Sequence, residues 1–422
     1  MKKLWILSAA ASALLMAQTD DTASLQAQLE SKKTASESKD ISDILKISLI
    51  LDASYNHISF DDEDETAHLE IPGLVHGGGE EHEGHAHTSL AGEEGANFNY
   101  AELSIGATVD NYFDLLTVFH ITEEDFEVEE AFVTTRTLPY SLRARIGKFK
   151  SDFGYLNNKH HHNYNFSDMP LIYSALLGDH GLTEIGAQLQ YVLPVPHYVM
   201  VGIEALEGEN EQSYGVEGFD GVGDVSYPNL WIGYLKTSLD IAGGTLLAGG
   251  SIAQGDSRID HLEDEESPHA FAGETTIYGL DLTYKYYFAA DRAFTWQSEY
   301  LYRDMDGSQY TPTAVTPASI RKKQAGYYSE VVYQHDKNWR AGVRYSAISK
   351  NDVALNGTDR ALPDDMYVTT AMLEYNPSEF SRIRLQYNHN SALYTDEGEK
   401  NNKDEIILQF NYAIGAHGAH AF

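Results

Sequence analysis

From Ile44 onward, apolar and polar residues alternate with a period of two, not the 3.6 of a helix. Leu45, Ile47, Leu49, Leu51 and Ala53 alternate with Lys46, Ser48, Asp52 and Ser54, and Ile50 is the one break. Tyr278, Leu280, Leu282 and Tyr284 alternate with Gly279, Asp281, Thr283 and Lys285, and Ile383, Leu385 and Tyr387 with Arg382, Arg384 and Gln386. The last such segment sets Ile406, Leu408, Phe410, Tyr412 and Ile414 on one face. The stretches run about 10–13 residues, longer than the soluble norm of about 5–6 and close to the roughly 9–11 tilted residues that cross a bilayer. Short joints (Asp110-Asn111, Leu138–Ser141, Pro194–His197, Ala289–Arg292, Lys337-Asn338, Pro377–Glu379) alternate with long ones near 60–97, 151–182, 208–228, 255–273, 304–322, 350–364 and 392–402. Short turns on one side and long loops on the other are the connection rule of bacterial barrels. The pattern predicts an all-β fold, a transmembrane antiparallel β-barrel of about sixteen strands over 44–422, with both chain ends on the short-turn side. The brief joint near Glu123–Phe126 leaves the count open by two. A soluble sandwich or propeller fits less well, because the strands are long and no blade-length repeat is present.

The ends of the chain add a compartment. Lys2 and Lys3 precede an apolar stretch from Leu4 to Ala17, a charged segment and a hydrophobic segment too short to span a bilayer. Residues 1–17 therefore read as an export signal, although Leu15 is a poor residue so near a cleavage point. Residues 18–43 form a polar periplasmic leader in which Ala23–Lys33, with Leu25 and Leu29 one turn apart, could form a short helix. Phe422 ends the chain on an aromatic residue, the feature expected of a barrel delivered to the outer-membrane assembly machinery.

Composition narrows the classes. With no cysteine, disulfide scaffolds, Cys-ligated zinc, Fe–S clusters and thiol catalysis are excluded. Tyr (28) exceeds Phe (16), as expected if amphipathic rings gather at two membrane interfaces. The formal charge is −35, too acidic for nucleic acid, which needs basic surface. Loss of Lys2 and Lys3 with the signal would take it to −37. The acids cluster: 60–97, 208–228 and 255–273 carry −11, −5 and −5, a total of −21. An acidic outer vestibule of this kind would concentrate cations, or the same acids could bridge lipopolysaccharide phosphates through divalent ions.

The polar faces of the strands would line the lumen. There the pore-lining candidates are Arg143, Arg145, Lys285, Arg303, Arg340, Arg344, Arg382, Arg384, Asp281 and Glu299, a mixed and slightly basic wall. In 60–97, His76, His82, His85 and His87 stand among Glu80, Glu81 and Glu83, ligand types that suit Zn²⁺, Ni²⁺ or Cu²⁺. The surrounding glycines favour loose capture, so no resident cofactor is expected, and zinc or another divalent cation would bind weakly. His160, His161 and His162 are consecutive and so point in different directions, which argues against all three holding one ion. They lie in 151–182, whose Met169, Leu171, Ile172, Leu176 and Leu177 predict a loop that packs, folding into the lumen as a constriction that also holds Asp168. No nucleophile elbow, zinc-protease helix or phosphate loop is present, so an enzyme is not expected.

The run EVEEAFVTTRTLPYSLRARIGKFKSDFGYLNNKHHHNYNFSDMPLIYSALLG, then TEIGAQLQYVLP and a closing GAHGAHAF, resembles a group of proteobacterial outer-membrane porin-like proteins described as zinc-regulated and TonB-dependent receptor-like. The resemblance implies an outer-membrane barrel and a link to metal supply. An energised receptor needs a plug domain and about 22 strands, whereas 18–43 is short and more like the leader of substrate-selective porins, some of which are trimers. The expectation is a passive channel in the bacterial outer membrane, in contact with lipid and lipopolysaccharide. It would prefer cations or divalent metal ions. The alternatives are a general or anion-selective porin and a non-conducting structural or adhesion barrel.

Overall fold

A computed structural model describes residues 45–62, 69–74, 93–210, 212–262, 268–313, 316–363, 365–395 and 397–415. The chain divides into two compact units, Met1–Lys46 and Ile47–Phe422. Of the first, only Leu45 and Lys46, which open a strand, are among the described residues. The signal, the leader, His76, Glu80, Glu81, His82, Glu83, His85, His87 and Phe422 all lie outside them.

The second unit is one closed sheet. Its strands are β1 (Leu45–Phe60), β2 (Gly95–Thr108), β3 (Phe113–Ile121), β4 (Phe126–Thr135), β5 (Leu142–Lys150), β6 (Thr183–Val192), β7 (Tyr198–Leu206), β8 (Leu230–Ile241) and β9 (Gly244–His261). They continue with β10 (His269–Ala289), β11 (Arg292–Tyr310), β12 (Ala318–Gln334), β13 (Trp339–Leu355), the two-residue β14 (Thr358–Asp359), β15 (Tyr367–Ser378), β16 (Ser381–Ser391) and β17 (Lys403–Gly415). Neighbours in sequence are neighbours in the sheet, and β1 pairs with both β2 and β17. Antiparallel register from Ser48↔Gly415 to Phe60↔Lys403 makes the closure. Setting aside β14, which only caps β13, sixteen strands go round. Closure leaves no edge, the condition for strands to sit in lipid. Glu123–Phe126 is a genuine outer joint: Thr122 Oγ1 accepts from the backbone of Glu124 and Asp125, tying a tight turn.

The short joints form for local reasons. Ala242 and Gly243 both have positive φ, 51° and 81°, as a two-residue hairpin turn requires. Asp110 Oδ1 accepts from the backbone of Tyr112 and Phe113, and Asp336 Oδ1 from Asn338 and Trp339, the local bonding that makes Asp a turn residue.

Alternation sorts the faces. Ile146, Ile185, Ile203, Leu235, Leu280, Val343, Leu373, Leu385 and Ile406 point outward and are exposed, an apolar band for lipid chains. Exposed Tyr112, Tyr140, Tyr198, Tyr287, Phe288, Trp339 and Tyr375 gather near the short turns, with the Trp339 and Tyr375 rings 4.7 Å apart. These rings fit the interface girdle of a membrane barrel.

One sequence expectation is corrected. Strand length is uneven, from 9 residues in β3 to 21 in β10. At about 3.3 Å per residue the longest strands exceed what a bilayer needs, so β9–β13 continue beyond it on the long-loop side. The joint expected over 255–273 is therefore mostly paired strand, with His261 opposite His269. Asp256 and Asp260 lie on these paired strands. A separate irregularity lies in β4. Val118 pairs with Glu130 and Phe119 with Val128, leaving Glu129 as the extra residue of a bulge. A bulge lets two successive side chains face the same way, and Glu129 and Glu130 are both buried toward the lumen.

Candidate functional site

The lumen is occupied by 151–182. Leaving β5, the chain turns inward under control of wall carboxylates. Ser151 Oγ and the Asp152 N–H donate to Glu204 at 2.5 and 3.0 Å. The N–H groups of Tyr155 and Leu156 donate to Glu299 at 2.8 and 2.9 Å, as do the hydroxyls of Tyr173 and Tyr328 at 2.8 and 2.6 Å. Glycine is required at 154: its φ is +63°, and a Cβ there would lie 2.5 Å from both Glu299 Oε2 and the Tyr173 hydroxyl. Asn157 ties the two stems, donating to the carbonyls of Ser151 and Leu182 and accepting from the Leu182 N–H.

Beyond this stem the loop crosses to the opposite wall. Arg382 and Arg384 donate to the carbonyls of His162 and Tyr164, both at 3.0 Å. Asn165 donates to Glu330 at 2.7 Å and accepts from Arg340 at 2.7 Å. Ser167 bonds Gln386 and Gln409. Arg344 clasps Asp168 through its carboxylate at 2.8 Å and its carbonyl at 2.7 Å, with the guanidinium 4.8 Å from the Phe166 ring centre. A short helix, α1 (Leu171–Leu177), follows Pro170 and stops at Gly178, whose φ is 70°. It packs on β12 and β13. Phe153, Leu156, Tyr164, Ile172, Tyr173, Leu176 and Leu177 join Ile277, Leu301 and Tyr328 of the wall in one buried apolar cluster. Apolar burial inside the lumen is what holds a polar-walled barrel closed around its own loop. A second outer segment enters the same space: Asn351 and Gln324 donate to the carbonyls of Pro72 and Gly73, both at 2.7 Å.

The wall residues singled out by alternation face inward, but many are covered. Arg303, Arg344, Arg382, Arg384, Asp281 and Glu299 are buried. Arg303 bonds Gln324, the Gln212 carbonyl and Ser213 Oγ. Glu374, completely buried, takes Arg384 at 2.8 Å and Arg340 at 3.2 Å, with Arg382 at 4.0 Å. Arg145 lies 4.6 and 5.3 Å from the ring centres of Phe132 and Phe149. Lys285 is half-buried, and Arg143 is exposed with no ion pair among the described residues.

The three histidines diverge as their spacing requires. His160 and His162 face the wall carboxylates, and His161 points the other way among the rings of Tyr100, His120 and Tyr164. Burial and nearby Lys150 push His161 down to about 3. Burial also works against a charged His160, but Glu102 and Glu129 outweigh it and hold His160 well above the usual imidazole value. Sequence reasoning did not select Glu129, Glu130, Glu204, Glu330 or Lys150. The pair Glu129–Glu130, two acids in succession within an alternating strand, was the available signal for a bulge.

No family model matches the chain. It is 48% identical over 381 residues to an uncharacterized protein of Aquifex aeolicus (strain VF5), covering 89% of this chain and 79% of that one. The chain belongs to the family of this Aquifex protein. Among solved structures it is similar to the outer membrane channel DcaP of Acinetobacter baumannii (TM-score 0.51, 13% identity, 88% of this chain and 96% of that one). It is also similar to an anion-selective porin from Comamonas acidovorans (TM-score 0.50, 12% identity, 88% and 99%). At these identities the likeness is one of fold, and it is to porin barrels; the zinc-regulated, receptor-like group is not among these relatives. A closed sixteen-stranded barrel with an apolar outer band, similar to outer-membrane porins, places this family member in the outer membrane.

Proposed function

We propose that the protein is a passive outer-membrane channel of narrow bore, whose restriction is 151–182 and which passes small cations in preference to anions. The observation that carries this reading is the way the loop is held. It is bonded to Glu204 and Glu299 on one side and to Arg344, Arg382 and Arg384 on the other. A segment anchored on both sides of a barrel divides the lumen and limits what passes. The selectivity follows from how charge is distributed along the chain. Arg344, Arg382 and Arg384 are taken up by Asp168, Glu374 and loop carbonyls, whereas 60–97 alone carries eleven acids and no Lys or Arg. An acidic mouth over a neutralised wall raises the local concentration of cations. Catalysis has no part in this reading.

An anion-selective channel is the second reading, and exposed Arg143 together with Arg145 on the short-turn side favours it. Single-channel recordings of the reconstituted protein with a salt gradient separate the two by the sign of the reversal potential. A homotrimer would fit a porin-like barrel, and mass measurement of the detergent complex tests it. The His-rich segment 76–87 is proposed as a loose collector of divalent ions at the mouth. Replacing His76, His82, His85 and His87 should lower zinc uptake under limitation, and unchanged uptake would end that role.

A further inference from the structure

Where the loop meets β2 and β4, three ligand-type side chains converge in a buried space. The donor atoms of Glu102, Glu129 and His160 all lie within 4.8 Å of one another. His160 Nδ1 is 3.2 Å from Glu102 Oε2 and 3.3 Å from Glu129 Oε2. Two donors sharing a tetrahedral ion at about 2.0–2.2 Å stand roughly 3.4 Å apart, so these spacings match ligands of one ion. Ion pairing of a charged His160 accounts for the closeness, but no well-directed hydrogen bond does. Glu129 Oε2, His160 Nδ1 and Glu102 Oε1 are buried and make no hydrogen bond, and an unmet buried carboxylate oxygen is costly. Glu102 and Glu129 are 2% and 8% exposed.

The surroundings are those of a supported site. The other ring nitrogen of His160, Nε2, bonds Glu130 Oε2 at 2.8 Å. A carboxylate on the far nitrogen orients the ring and, once an ion displaces the Nδ1 proton, makes it a better ligand, the usual arrangement behind a metal-bound histidine. Lys150 Nζ holds Glu129 through its other oxygen at 2.9 Å. His162 Nδ1 contacts Glu102 at 3.1 Å. The charges also close: three carboxylates (Glu102, Glu129 and Glu130) against Lys150 leave −2, which one divalent ion offsets when it displaces the proton held on His160.

We infer that Glu102, Glu129 and His160 form a binding site for one divalent transition-metal ion, which ties the inward loop to strands β2 and β4. Imidazole with carboxylates suits Zn²⁺ and its first-row neighbours better than the hard ions Mg²⁺ and Ca²⁺, which prefer all-oxygen sets. The site uses none of the histidines of 76–87 as ligands and stands whether or not the lumen conducts. The bulge at Glu129 supplies it, because without the extra residue Glu129 and Glu130 could not both face inward.

The test uses the full chain in detergent with His76, His82, His85 and His87 replaced by Asn, which removes the His-rich segment, and the His160 variants separate the site from the remaining histidines. Equilibrium dialysis against ZnCl₂ should find one ion per chain, and Co²⁺ should give visible d–d absorption. His160→Gln should weaken Zn²⁺ binding more than tenfold and abolish the cobalt spectrum. Glu130→Gln, which removes only the supporting carboxylate, should weaken it about 10- to 100-fold. Heat-modified gel migration reports folding of each variant. If His160→Gln fails to fold, Glu129→Gln, which keeps an acceptor for Lys150, takes its place. The inference is overturned if the four-Asn protein binds no Zn²⁺, or if His160→Gln or Glu129→Gln binds as tightly as that parent.

Discussion

Glu299 is the position at which the packing of 151–182 is most open to measurement. Its carboxylate accepts four hydrogen bonds, two from the backbone of Tyr155 and Leu156 and two from the hydroxyls of Tyr173 and Tyr328. Glu299→Ala would leave all four donors buried without this acceptor. Each hydrogen bond to a charged group is worth about 1.5–3 kcal/mol, but such terms do not add. Removing one side of a buried charged network typically costs about 3–5 kcal/mol, and that range is the one adopted for loop docking. It corresponds to a shift of a hundredfold or more in the balance between docked and released loop, since about 1.4 kcal/mol is a factor of ten. Glu299→Gln keeps one acceptor oxygen and should lose about half as much. Single-channel recordings should show larger and noisier openings in the order Ala, Gln, parent, and limited trypsin should cut at Lys159 in the same order. Equal conductance and equal protease resistance in the three proteins would refute the anchoring role of Glu299.

Other consequences are as direct. Leu280 faces lipid and is 63% exposed, so Leu280→Arg should destabilise the folded barrel by about 2–4 kcal/mol, read from urea unfolding in lipid vesicles; no change would place this face elsewhere. Burial raises Asp179 to about 7. An acid raised on folding favours the fold while protonated, so its stabilising effect is complete below about 4 and is lost as pH rises through about 7. Asp179→Asn should therefore flatten the melting temperature across that window, and an unaltered pH profile would contradict the assignment.

How much of this was legible beforehand follows from what a period of two can encode. Alternation tells which side of a strand is wet or lipid-facing, and it located Leu280, Arg344, Arg384 and Glu299 on their proper faces. Together with the turn residues it gave the strand number. It cannot tell whether an inner face is bare. Arg382 and Arg384 read as lining an open pore, yet they hold the carbonyls of His162 and Tyr164, more than two hundred positions away in sequence. The apolar run at 169–177 did predict that the loop packs inward, because Ile172, Leu176 and Leu177 needed somewhere dry. Its partners were hidden, since Glu204 and Glu299 look like any inward acid. The bulge hid a third feature: Glu129 breaks the rhythm by one residue, which in sequence looks like an ambiguous strand and in the barrel brings a second carboxylate to His160. Strand ends were misjudged for a related reason, since Asp256 and Asp260 read as loop residues but lie in paired strand.

The central claim, a loop-restricted channel that favours cations, meets its most direct test in the reversal potential across a planar bilayer holding the purified protein in a tenfold KCl gradient. The limit for a perfectly selective monovalent channel is about 59 mV. The account predicts discrete small-conductance openings and a reversal potential with the sign of cation preference. A potential of the opposite sign would give the selectivity to Arg143 and Arg145, and a folded, inserted barrel that passes no current would contradict the channel itself.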